Sequence, residues 1–196
     1  MNFRNVVRHI AAAALLLLAT GVIQAIPIAG SLPLNGGGLT QNSTDLSLST
    51  LISSTSLSNL SVGSGSYAFI PVPTNFGAAT LDLNNLAAFS FSSPVWGSFA
   101  ATNNPSNQIV QRTANFLDVF IIGTFSPGTN AGWAGFDPTN SSLRFSINQS
   151  GTSISEAITL NSPALPPPGV PEPATMVLMG AGLVGLGMFG RSRLVR

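Results

Sequence analysis

The chain has 196 residues, 44% hydrophobic and only 7% charged, with seven basic residues against six acidic ones. Every basic residue is arginine, and five of them (Arg4, Arg8, Arg191, Arg193 and Arg196) lie at the two ends, so residues 26–170 carry Arg112 and Arg144 against Asp45, Asp82, Asp118, Asp137 and Glu156. A weakly acidic body makes nucleic acid and anionic lipid surfaces poor partners. Cysteine is absent and the single histidine, His9, precedes the body, which removes thiol, imidazole-based triad, structural zinc and lysine Schiff-base chemistry and leaves only carboxylates. The expectation is a protein that is not an enzyme, with no cofactor and no metal.

At the start, Arg4 and Arg8 precede the apolar run 10–19, and Gln24-Ala25 supplies a small residue at a cleavage point. This is the layout of a secretory signal peptide over residues 1–25, cut after Ala25. The run is short for a membrane-spanning helix. Residues 26–44 are rich in glycine and proline without periodicity and read as a flexible lead-in.

From residue 45 to 162 the pattern predicts one β-rich domain. Leu46, Leu48, Leu51, Leu57, Leu60 and Val62 among serines and threonines suggest one or two strands. Short apolar or aromatic segments follow at 67–72, 80–83, 89–91 and 96–101, separated by Pro, Asn or Gly, as in consecutive antiparallel strands. Residues 115–125 form an almost continuous apolar run, stopped by Ser126-Pro127-Gly128, which predicts a central strand buried on both faces. Leu143, Phe145 and Ile147 alternate with Arg144, Ser146 and Asn148, then turn at Ser150-Gly151 into Ile154, Ile158 and Leu160, which predicts a hairpin with one buried face. The sum is a mainly β fold, an antiparallel β-sandwich or jelly-roll-like single domain, flanked by a signal-peptide helix and a C-terminal transmembrane helix.

Residues 163–173 form a proline-rich linker ending in Val170-Pro171-Glu172-Pro173, where the prolines hold the chain extended and outside helix or sheet. Residues 174–190 are apolar and glycine-broken, about 25 Å long as a helix, near the minimum for crossing a hydrocarbon core. Their glycines, Gly180, Gly182, Gly185, Gly187 and Gly190, weaken a helix but let another helix approach closely. Arg191, Arg193 and Arg196 in the tail 191–196 keep that end cytoplasmic and place the body on the outer side.

This three-part tail resembles the PEP-CTERM sorting signal, the tag read by exosortases in Gram-negative bacteria. The resemblance implies transient recognition of Pro171-Glu172-Pro173 by a membrane exosortase, cleavage near that motif, and passage from the inner membrane to the cell surface or extracellular matrix, where such systems go with exopolysaccharide and biofilm. Residues 116–160 are also similar to bodies that accompany such tails, through Phe116-Leu117-Asp118-Val119-Phe120, Gly123-Thr124-Phe125-Ser126-Pro127-Gly128 and Leu143-Arg144-Phe145-Ser146.

Within the body, Asp118 among aromatic residues reads either as a carboxyl raised in pKa by burial or as the partner of Arg112, Arg144 or main-chain amides. An acid-only glycoside hydrolase needs a second carboxylate across a cleft, with Asp82, Asp137 and Glu156 as candidates. Asp137-Pro138-Thr139-Asn140 and Asn42-Ser43-Thr44-Asp45 lack the carboxylate density of a calcium site and read as side-chain-capped turns. Trp96 and Trp133 suit either core packing or a stacking platform for sugar rings, and Trp133, in a glycine-rich loop, is the better candidate for glycan contact. The alternatives to a sorted surface protein are therefore a carbohydrate-binding, lectin-like module and, less well supported by four scattered acids, a glycosidase.

Overall fold

The computed structural model describes residues 26–168. The proposed signal peptide with Ala25, the motif Val170–Pro173, the apolar stretch 174–190 and the arginines of the tail lie outside the described residues. Among the described residues the chain forms β1 (Ile26–Pro27), β2 (Gly30–Gly37), β3 (Thr40–Gln41), β4 (Leu51–Ser54), β5 (Ser56–Asn59), β6 (Thr74–Asn75), β7 (Ala79–Asp82), β8 (Ser90–Ser93), β9 (Gly97–Ala101), β10 (Gln108–Arg112), β11 (Phe116–Ser126), β12 (Phe136–Asp137), β13 (Thr139–Ser150) and β14 (Ser153–Ser162). Helical structure among these residues is limited to single 3-10 turns, and no described helix is long and apolar enough to cross a membrane.

One antiparallel sheet runs in the order β6-β5-β2-β14-β13-β11-β9-β8, with β10 also paired to β11. β11 shares one edge between two partners: its first half pairs with β10 and its last four residues with β9. The strands β3, β4 and β7 form a smaller sheet. β4 and β5 are separated by Thr55 alone, so one arm of chain passes from the small sheet into the large one and leaves the whole nearly closed. A short parallel pair, β1 with β12, ties the start of the body to the loop before β13.

Period-two patterning directs the core. Leu117, Val119, Ile121 and Phe125 of β11 meet Leu143, Phe145 and Ile147 of β13 and Ile158 and Leu160 of β14, while Ile52 and Leu81 of the small sheet join the same cluster. On the opposite face of β11, Phe120 and Ile122 are also buried, as the unbroken apolar run predicts. Phe89 stacks edge-on to Phe145 at 4.9 Å, and Phe76 meets Phe91 at 5.5 Å. Gly123 leaves room in the middle of β11 for the Phe99 ring and the Ala100 carbonyl, which a Cβ there would strike.

Two expectations are corrected. Residues 26–44 are not a flexible lead-in: β2 is an inner strand whose Leu32 and Leu34 are buried. Proline is tolerated there because Ser31 turns its main-chain groups toward Ser64, and Pro33, two residues on, directs its missing donor to the same side, away from β14. Residues 67–72 are not a strand either. Gly65, at φ +57°, opens a 3-10 turn Gly65–Tyr67, and the Pro71 carbonyl is taken by the Asn59 side chain rather than by a ladder. The hairpin β13/β14 and its turn at Ser150-Gly151 stand where the alternation places them.

Candidate functional site

One group of polar side chains falls on the outer face of β11, β13 and β14. Asp118 sits opposite Ser146, and Ser146 opposite Ala157, so these three share that face. Arg144, one step diagonal to Asp118, donates from Nη2 to Oδ2 at 2.7 Å and from Nε to Oδ1 at 3.1 Å. Asp118 is buried and Arg144 is half exposed, and the carboxylate beside it raises the guanidinium pKa above its ordinary value. Of the two readings of Asp118, the ion pair with Arg144 is the one the geometry contains.

Glu156 follows the opposite direction. Its neighbour Ala157 faces out, so Glu156 faces in, beside Gly36, and burial pushes its carboxyl pKa up to about 7. The sheet itself therefore separates Glu156 from Asp118. Asp82 closes a turn by accepting the Asn84 N–H at 2.9 Å, and Asp137 is exposed in β12. Asp45 accepts from Ser47 N at 2.8 Å, Ser47 Oγ at 2.6 Å and Leu48 N at 3.2 Å, bonds that hold its pKa below the usual carboxylate value. Asn42 likewise accepts from the amides of Thr50 and Leu51. Asn42–Asp45 is thus the side-chain-capped segment expected, whereas Asp137–Asn140 is not a turn: it runs from β12 into β13, with Thr139 Oγ1 donating to Asp137 O. Arg112 is spent on main-chain carbonyls, donating to Leu46 O and Ser49 O.

Trp133 does not offer a sugar platform. It is 3% exposed, packed among Tyr67, Phe69, Phe125 and Phe136, with its indole N–H donated to Trp96 O at 3.1 Å. The Asn130 side chain caps the 3-10 turn Ala131–Trp133 and aims the ring inward. Phe69, half exposed and 6.1 Å from Trp96, lies above it.

Sequence patterning did not reveal the path of the linker. The Ser162 hydroxyl, at the last residue of β14, is buried between Tyr67 Oη and Ser141 Oγ. The chain then reverses along β13: Ala164 N donates to Asn140 O at 2.9 Å and Leu165 N to Ser142 Oγ at 3.0 Å. Leu165, Pro166 and Pro168 wall a cavity of about 440 Å³ whose floor includes Phe120, Arg144, Ser146 and Thr159. The only sequence signal for this was the alternation that leaves small polar side chains on that face.

A mainly β body runs directly into a proline-rich segment, and the class of the protein is set by the short sequence module that follows it. The family model of the PEP-CTERM protein-sorting motif matches residues 169–193, directly after the described strap of linker, and the chain is in that respect a PEP-CTERM protein. The motif implies export, sorting at the membrane and recognition by an exosortase. Neither a curated protein nor a solved structure matches the chain.

Proposed function

We propose that this chain is a non-enzymatic surface or extracellular-matrix protein, held briefly in the inner membrane through residues 174–190, cut by an exosortase close to Pro171-Glu172-Pro173, and delivered as a sandwich-like β body into an exopolysaccharide or biofilm matrix. The observation that carries the reading is the sorting motif at 169–193, set immediately behind the β body. The body supports a structural rather than catalytic role. Asp118 is committed to Arg144, and Glu156 lies on the other side of the sheet, so the two carboxylates do not converge on a shared cleft.

Intact mass of the protein recovered outside a host that possesses an exosortase tests the sorting. A species ending near Glu172 is the expected result. A species ending at Arg196 would mean an ordinary anchor and would overturn the reading. Glu172→Ala should leave the full-length chain in the inner membrane.

A further inference from the structure

The Pro171-Glu172-Pro173 triplet begins three residues after Pro168, and Pro168 lies against the outer face of the sheet. While Pro168 is held there, chain length alone limits Pro171 to about 10 Å from that contact. A body of this size has a radius of gyration of about 15 Å, so a reach of that length is short beside the body while the linker stays docked. Measured from Ser162 instead, nine residues of extended chain allow Pro171 a reach of about 28 Å. The docked segment decides between these two reaches.

Its hold is built to be broken. Ala164 and Leu165 each donate one main-chain N–H, to Asn140 O and Ser142 Oγ, and the prolines 166–168 have no N–H with which to continue a ladder. Leu165 is 52% exposed, and a cavity remains between the segment and the sheet, so apolar burial adds little. The root, by contrast, is firm: Ser162 is buried and bonded to Tyr67 and Ser141. The result is a strap fixed at one end and lightly held along its length.

We propose that residues 163–168 form a releasable strap that withholds the sorting motif, and that its detachment from Asn140 and Ser142 is the step that gives a membrane-embedded processing enzyme access to Pro171-Glu172-Pro173. This rests on the exosortase reading above. Detachment lengthens the free tether without unfolding any strand, since the segment after Ser162 belongs to no sheet.

The test follows conversion of the full-length chain to the exported, shortened form by pulse-chase in an exosortase-bearing host. Ser142→Ala and Leu165→Pro, each of which removes the Leu165 N–H to Ser142 Oγ bond and leaves the motif intact, should each speed conversion about threefold or more. A six-residue Gly-Ser spacer inserted after Pro168 should do the same and make Ser142→Ala silent. Conversion of both loosened variants at the parent rate or slower overturns the strap. Amide exchange on the full chain gives a readout independent of the enzyme: Ala164 and Leu165 should be protected at least about tenfold, and Ser142→Ala should remove that protection at Leu165. Unprotected amides in the parent would also overturn it. Glu172→Ala separates the two claims, since normal conversion of that variant defeats the sorting reading while leaving the exchange result to judge the strap.

Discussion

Tyr67 Oη lies 2.5 Å from Ser162 Oγ, joining the 3-10 turn after β5 to the last residue of β14 inside the core. Burial raises the Tyr67 phenol pKa well above its ordinary value, so the hydroxyl stays protonated and available to the two serines Ser162 and Ser141. Tyr67→Phe keeps the ring, which packs edge-on against Phe125 at 5.2 Å, and removes only the oxygen. Leaving two buried hydroxyls one partner short should cost about 1–2 kcal/mol, read as a lower denaturant midpoint at unchanged slope. An unchanged midpoint would mean the serines satisfy each other.

The Arg144–Asp118 pair yields an asymmetric prediction. Arg144 is 54% exposed, so solvent screens the attraction and the pair itself should be worth about 1 kcal/mol or less in a double-mutant cycle. Arg144→Ala nevertheless strips the nearly buried Asp118 carboxylate of both its donors and should destabilise by about 1–3 kcal/mol. Adding Asp118→Asn to that variant should recover part of the loss. Equal costs for Arg144→Ala, Asp118→Asn and the double variant would instead indicate one tightly coupled unit.

How much of this was legible follows from where the information resides. β11, β13 and β14 carry long apolar or alternating patterns, and side-chain direction follows from period two alone, so the strands and the β13/β14 hairpin are readable from sequence, whereas only the β11–β13 register selects Arg144 over Arg112 and main-chain amides as the partner of Asp118. β2 was not readable because its two leucines sit among Gly30, Pro33, Gly36 and Gly37, and only the tertiary arrangement shows which side the proline's missing donor faces. Gly30, at φ +143°, and Gly65 pack back to back so closely that a Cβ on either would strike the other segment's backbone, a contact between residues far apart in the chain. The same glycines that look like flexibility in sequence are close-approach points in the fold. Of the two readings open for Trp133, core packing is the one found: its loop is glycine-rich, yet the Asn130 cap turns the ring inward.

Glu156 gives the body an acid-side preference in stability. Its ordinary carboxyl pKa is 4.5, and burial raises it to about 7 in the folded state. The fold thus binds the proton more tightly than the unfolded chain, so the contribution is complete below the unfolded value and is lost as pH rises through the folded one. The difference amounts to about 3 kcal/mol between the two limits. Thermal or urea unfolding followed from about pH 5 to pH 8 should show stability falling over that window, and Glu156→Gln should flatten the slope. A slope that persists in Glu156→Gln would assign the effect to another group.

Gly123 is the position where the smallest side chain should do the most harm. It faces inward from β11 between Ile121 and Phe125, and a Cβ there meets the Phe99 ring, the Ala100 carbonyl and the Ala101 backbone across the β9 pairing. A ring can shift; a paired strand can shift only by loosening its ladder. Gly123→Ala should therefore cost about 1–3 kcal/mol, in the range of overpacked cores. Phe99→Leu in the same chain relieves the ring contact but leaves the two backbone contacts in place, so the double variant should recover only part of the loss. Full recovery would mean that β9 moves freely against β11, and that the ring alone sets the spacing of the two strands.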